Sequence, residues 1–145
     1  MILSMFCISL LSFFYFSLST GSLSVEIQNI DSSSGNIMLA VFEKEQDFLI
    51  DEQAIFAKAY SISQKGSMLI SIPELPFGKY AIAVYHDANN NQTLDKNMFG
   101  VPKEPYGFSN HVRSKWRAPQ YKDAQINFTT DQQKLIIPLK QWSKQ

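Results

Sequence analysis

The chain has 145 residues, and its 13 lysines and arginines balance its 13 aspartates and glutamates, so the formal net charge is zero. This length fits a single domain that buries its own core. A neutral chain lacks the basic footprint of nucleic-acid-binding proteins, so we expect no nucleic acid partner. The single cysteine excludes an internal disulfide, a thiolate zinc site and an iron–sulfur cluster.

The N-terminal segment differs from the rest of the chain. Residues 1–25 contain no charged side chain, and most of residues 2–18 are apolar. An apolar run followed by small residues predicts a secretory signal peptide, which we place at residues 1–21, ahead of one domain at 22–145. The usual basic residue before the run is missing, so a retained membrane anchor and a core segment are the alternatives. A cleaved signal predicts an exported protein, periplasmic or extracellular, without stable membrane insertion.

The first half of the mature part carries short strand patterns. Apolar residues alternate over 23–30, and the continuous apolar run at 37–42 is consistent with a strand buried on both faces. Turn residues at 31–36 between the two runs predict a hairpin. Residues 46–50 are a candidate helical turn, and weak alternation at 54–62 predicts a third strand.

The second half continues this pattern and completes the fold class. Residues 68–72 alternate until Pro73, which we expect to end the strand. The clearest strand is 79–86, and two short strands follow at 124–128 and 135–139. About seven short strands without a long amphipathic helix predict an all-β sandwich.

A long loop separates the strand at 79–86 from the last two strands. Residues 88–123 exceed the length usual for unstructured connections, and such loops are commonly functional or disordered. This loop contains five aromatic residues, which can pack, and three prolines, which limit its unfolded entropy. We therefore predict one long ordered loop.

The loop begins with a candidate calcium site. Four side chains with oxygen ligands follow the spacing of calcium-binding loops, at relative positions 1, 3, 5 and 9: Asp87, Asn89, Asn91 and Asp95. Gln92 replaces the usual glycine and Met98 the usual acidic ligand, so we expect weak affinity, about 10⁻⁴–10⁻³ M, and no other cofactor. The alternative is that these residues only cap their own turns.

An enzymatic interpretation depends on two histidines. His86 is a candidate general base and Ser109, near His111, a candidate nucleophile, which gives a hydrolase as an alternative function. Adjacent strand residues face opposite sides, so Asp87 is badly placed to orient His86. The sequence contains no nucleophile elbow, zinc-protease motif or phosphate-binding glycine loop. We therefore assign no catalytic residue and expect His86 to bond the loop backbone.

Charge is distributed unevenly along the chain. Residues 26–74 contain eight acidic and three basic residues, whereas residues 96–144 contain nine basic and three acidic ones. Arg113, Lys115 and Arg117 share one face if the segment is extended. This row is either a site for an acidic glycan, a lipid head group or a phosphate, or a solvated strand face.

Three consecutive runs resemble a known family. Residues 75–87 match the pattern L-P-x-G-x-Y-A-x-x-x-x-H-D, residues 89–97 match N-x-N-x-x-L-D-x-N, and residues 100–110 match G-x-P-x-E-x-Y-G-F-S-N. These runs are similar to those of the bacterial "domain of unknown function" family 2141, small exported proteins. In that family a glycine usually stands where this chain has Gln92.

The resemblance implies export and an immunoglobulin-like or transthyretin-like β-sandwich, and it implies no activity. We expect a non-enzymatic protein that binds an unknown ligand or envelope component at the loop end formed by residues 86–121. The candidate ligand-binding residues are His86, Tyr106, Ser109 and Asn110. The other alternative is a purely structural component of the cell envelope.

Overall fold

The computed structural model describes residues 19–112 and 117–142. Most of the predicted signal peptide, residues 1–18, lies outside this part. The first strand begins at Thr20, so the predicted boundary after residue 21 falls two residues inside it. Cleavage after Ser19 would leave that strand whole.

Eight strands in the described residues form two sheets that enclose the core. In chain order they are β1 (Thr20–Ile30), β2 (Asn36–Phe42), β3 (Phe56–Ser61), β4 (Gly66–Pro76), β5 (Gly78–Asp87), β6 (Tyr106–Phe108), β7 (Gln125–Phe128) and β8 (Gln133–Pro138). One sheet has the order β4-β1-β8 and the other β3-β2-β5-β6, with β7 also paired to β5. The β1–β8 pair is parallel. The all-β sandwich is confirmed, with eight strands rather than about seven.

The core comes from the alternating apolar residues of the strands. Leu23, Val25 and Ile27 of β1 face the inner side of β2 and β5, and all are fully buried. On β5, Tyr80, Ile82, Val84 and His86 share one face and are all buried. The prediction that 37–42 is buried on both faces is wrong for Met38 and Ala40, which are only half-buried, and right for Phe42, which is fully buried. Phe42 packs with Ala81, Tyr121 and Ala124 in a second apolar cluster on the outer side of this sheet.

The predicted hairpin of the first two strands is also wrong. β1 pairs with β4 and β8, whereas β2 pairs with β3 and β5. The turn at 31–36 therefore carries the chain from one sheet to the other. Turn residues indicate that the chain reverses, but they do not specify which strands pair afterwards.

Pro73 does not end its strand as predicted, because β4 continues to Pro76. β4 lies at the edge of its sheet, where a missing N–H need not break a ladder hydrogen bond. The register shifts between Gly21 and Leu23 on the partner strand, and Glu74 has a positive φ of 55°. This irregularity lets the chain pass the proline and resume pairing.

The described parts of the predicted long loop, residues 88–112 and 117–123, contain regular structure. They include β6, a short 3-10 helix at Ser109–His111 and the single-turn helix α1 (Tyr121–Ala124). Two more 3-10 turns occupy Glu45–Asp47 and Asp51–Gln53, the first overlapping the predicted helical turn. No helix among the described residues has the length and apolar character needed to cross a membrane.

Candidate functional site

Asp87, the last residue of β5, organises the start of the long loop. Its carboxylate is fully buried. One oxygen accepts the backbone N–H of Asn91 at 3.1 Å, and the other accepts that of Gln92 at 2.8 Å. Asn90 and Gln92 both have positive φ, so the chain curls tightly around this carboxylate. Asp87 therefore acts on the loop backbone and not on the adjacent His86.

Glu104 holds the same loop from the other side, and sequence reasoning missed this role. Its Oε1 accepts the N–H of Ala88 and its Oε2 the N–H of Asp95, each at 3.0 Å. The carboxylate is almost completely buried. The sequence offers one indication of this role, because Glu104 lies in a run of prolines and aromatic residues. A carboxylate that is buried among such residues needs hydrogen-bond donors.

Three of the four predicted calcium ligands come together. The side-chain amides of Asn89 and Asn91 donate to the two carboxylate oxygens of Asp95 at 2.8 and 3.0 Å. The Oδ1 of Asn91 accepts both the N–H and the hydroxyl of Thr93. Residues 19–112 and 117–142 contain no group of three or more histidine, cysteine, aspartate or glutamate side chains arranged for a metal. The calcium site stays a prediction based on two carboxylates and two amides.

Three of the four predicted ligand-binding residues bond the protein backbone. The buried ring of His86 lies with Nε2 2.8 Å from the carbonyl oxygen of Ser34. Ser109 accepts the N–H of Ile82 at 2.9 Å and donates its hydroxyl to the carbonyl of Ala124. The amide of Asn110 donates to the carbonyl of Asp123 at 3.0 Å. The His86 contact fastens β5 to the connection after β1, and the contacts of Ser109 and Asn110 fasten the long loop to β5 and to α1.

Tyr106, the fourth predicted residue, lines a cleft on the outer face of the five-stranded sheet. The cleft has a volume of about 530 Å³, within the range of small-molecule sites. Its floor carries the small side chains of Ala40, Ala57 and Ala83, which occupy neighbouring strands in register. We call it the outer cleft. The three alanines were not predicted, because only the sheet brings them together.

Five aromatic residues line the outer cleft: Tyr85, Phe99, Tyr106, Phe108 and Trp142. Tyr85 and Tyr106 lie opposite each other on β5 and β6, and Tyr106 packs against Phe108 with ring centroids 5.8 Å apart. Val101 also lines the cleft. Such rings offer large apolar contact area together with hydroxyl groups that can bind a polar end.

Charged groups at the outer cleft are mostly basic. Among the described lining residues four are cations and one is an acid, and these five are Lys58, Lys96, Arg117, Lys140 and Asp51. Of the predicted basic row, Arg113 and Lys115 lie outside the described residues. Arg117 lies 3.8 Å from a carboxylate oxygen of Asp123, a contact that is only partly shielded from water.

One family model matches the chain. It is described as "Uncharacterized protein conserved in bacteria (DUF2141)" and covers residues 25–136, from β1 into β8. No curated protein and no solved structure matches the chain.

Proposed function

The chain belongs to the bacterial family DUF2141, and from this premise we propose that it is an exported, non-catalytic protein that binds a small, largely apolar ligand in the outer cleft. Export is supported by the uncharged apolar segment at residues 1–21. A binding role without catalysis is supported by His86, whose Nε2 is already paired with a carbonyl.

The outer cleft is the observation that carries this proposal. Large side chains normally cover the face of a sheet, whereas Ala40, Ala57 and Ala83 leave a hollow that is lined in part by aromatic residues. The rim comes from the long loop, whose start is fixed by the carboxylates of Asp87 and Glu104. A cleft that exists before the ligand arrives binds at a lower entropic cost than one that must form.

A neutral apolar dye, N-phenyl-1-naphthylamine, tests whether the cleft binds. Its fluorescence rises when it leaves water, so the full chain should give a saturable increase. Ala57→Phe should remove that increase, because the ring would occupy the floor of the cleft. Ala59→Phe is the matched control, since Ala59 lies on the same face of β3, two residues further on, and does not line the cleft.

Dye binding by these two variants decides whether the outer cleft is a ligand site. Loss of saturable dye binding in Ala57→Phe alone would support a ligand site in the cleft. Equal binding by wild type and Ala57→Phe, or no saturable binding at all, would contradict it. Thermal unfolding of both variants should resemble that of wild type, because both alanines are exposed on an edge strand.

A second proposal concerns calcium, and the convergence of Asn89 and Asn91 on Asp95 favours it. Rotation of the two amides would turn their oxygens toward a cation beside Asp95. A ligand that binds only the folded state raises its stability, so millimolar calcium should raise the unfolding temperature above that in EDTA.

Asp95→Ala should abolish the calcium response, whereas Glu52→Ala, which removes an exposed carboxylate elsewhere, should leave it intact. Asp95 is preferred over Asp87 for this test, because Asp87 also accepts two backbone hydrogen bonds. An unfolding temperature that does not respond to calcium would contradict the calcium proposal. The Asx residues would then only cap their own turns.

A further inference from the structure

Residues 96–102 of the long loop form a closed turn, which we call the tip turn and which borders the outer cleft through residues 96 and 99–102. Lys96 and Pro102 form a β-bridge at its base. Asn97 donates its N–H to the carbonyl of Val101, and Gly100 donates its N–H to the carbonyl of Asn97, both at 2.9 Å. Gly100 has a φ of 77°, which glycine adopts without strain.

The side chain of Asn97 fixes the turn further. Its Oδ1 accepts the backbone N–H of Phe99 at 2.9 Å and that of Val101 at 3.0 Å. The turn is therefore held by four hydrogen bonds within itself, two from the backbone and two to this side chain. Its shape does not depend on burying the residues at its apex.

Those apex residues are large, apolar and turned toward solvent. Met98 is 90% exposed and Phe99 is 83% exposed, the highest values among the exposed large hydrophobic residues of the described part. Leaving both in water forgoes the free energy that burial of such side chains provides. The turn therefore presents two large apolar side chains together to solvent.

Basic residues flank this apolar apex. Lys96 and Lys103 are exposed on the two sides of its base. The nearest carboxylates in sequence are engaged inside the loop, since Asp95 accepts two amide N–H groups and Glu104 two backbone N–H groups. The tip turn therefore combines two exposed apolar side chains at its apex with two lysines at its base.

We propose that the tip turn is a peripheral contact with an anionic lipid surface, in which Met98 and Phe99 enter the headgroup region and the two lysines meet lipid phosphates. A stable protein interface buries roughly 800 Å² on each partner, far more than two side chains on a narrow turn supply. A lipid surface can accommodate two apolar side chains without having a complementary shape. Apolar burial plus electrostatic attraction of this size gives reversible, salt-sensitive association.

A polarity-sensitive dye placed at the apex tests this contact in the full chain. Cys7→Ser removes the native cysteine, and Met98→Cys then allows acrylodan to be attached at the apex. Leu69→Cys is the matched control, because Leu69 is also a large exposed side chain, 67% exposed, but lies on β4 in the three-stranded sheet. This control separates contact by the apex from attachment through the apolar segment at residues 1–21.

The dye at position 98 should shift to the blue when phosphatidylglycerol vesicles are added, and the dye at position 69 should not. The shift should weaken with salt and with phosphatidylcholine vesicles, since the lysines need anionic lipid. The pair Lys96→Gln and Lys103→Gln should raise the lipid concentration for half-maximal shift at least about tenfold. Phe99→Ser should raise it by a similar factor.

Two results would overturn the proposal. A shift at both positions, or at neither, would mean that the apex makes no specific contact with lipid. An unchanged lipid dependence in Phe99→Ser would mean that the apolar apex contributes nothing to the association. Each variant should keep the thermal unfolding of the parent, because the altered side chains are exposed.

Discussion

Two buried carboxylates, those of Asp87 and Glu104, hold the backbone at the start of the long loop. Each accepts two backbone N–H groups, and together they join the first residues after β5 to the segment before β6. Hydrogen bonds to a carboxylate are stronger than those between neutral groups. The position of the loop over the outer cleft therefore depends on these two residues.

Replacing Glu104 by glutamine should destabilise the fold by about 2 kcal/mol, because the new NH₂ group would face a backbone N–H that loses its acceptor. Chemical denaturation measures this difference. Glu52→Gln, at an exposed position in a 3-10 turn, should change stability by no more than about 0.5 kcal/mol. Equal effects of the two substitutions would show that the Glu104 contacts do not support the loop.

Tyr85 should titrate at unusually high pH. Burial, together with the negative charges of Asp51, Asp87 and Glu104, raises the pKa of Tyr85 from 10.0 to about 12. The folded state therefore favours the neutral phenol. Its contribution to stability is complete below the unfolded pKa and is lost as the pH rises from about 10 to about 12.

Tyrosinate absorbance and thermal unfolding measured across this pH range test the prediction. Tyr85→Phe should remove the highest-pH part of the absorbance change and make the loss of stability shallower. The pKa values of Tyr60 and Tyr80 are also raised, mainly by burial, so part of the loss should persist. Identical pH profiles for wild type and Tyr85→Phe would contradict the assignment.

At the scale of elements, the connection between β1 and β2 lies against the end of β5. Gly35 has a φ of 84°, and a Cβ there would lie 2.8 Å from the Cα of Ala88 and still closer to the carbonyl oxygen of Asp87. The His86 ring also bonds the carbonyl of Ser34 next to it. The crossing between the two sheets is thus packed onto the start of the long loop.

Gly35→Ala should destabilise the protein by about 3 kcal/mol or more, since backbone strain and a backbone clash add together. Gly66→Ala is the matched control, because Gly66 has a φ of 104° but open space around it, so that only strain applies. Unfolding free energies of the two variants measure the difference. A Gly35 variant no less stable than the Gly66 variant would show that the close approach carries no cost.

The sequence predicts elements best where their signal is local. The alternation of 79–86 is sufficient to predict β5, and apolar runs predict six of the other seven strands. β6 has only three residues, too few for a period to be visible. The prediction that β1 and β2 form a hairpin is wrong for a different reason, because long-range packing decides which strands pair.

At the scale of the whole molecule, residues that are distant in sequence create both the core and the outer cleft. The cleft floor takes one alanine from each of three strands, and its walls come from the loop and the C-terminal segment. No local pattern indicates such a site. The Asx residues were predicted because calcium-loop spacing is local, and three of the four converge.

The C-terminal strand closes the core, and a pair of neighbouring substitutions tests this. Ile137 of β8 is fully buried, whereas Ile136 is 41% exposed. Ile137→Asp should abolish cooperative unfolding, because an unpaired charge would be buried in the core. Ile136→Asp should leave a folded protein by circular dichroism, and a folded Ile137→Asp protein would contradict the role of β8.

The parallel pair of β1 and β8 also sets the order in which the protein is completed. Among the strands that the structure describes, β1 is the first to be translated, yet it occupies the middle of its sheet, and one of its two neighbours, β8, is the last of them. The three-stranded sheet stays unfinished until Pro138 has been translated. Folding thus has to wait for synthesis, and pairings between such distant segments form slowly.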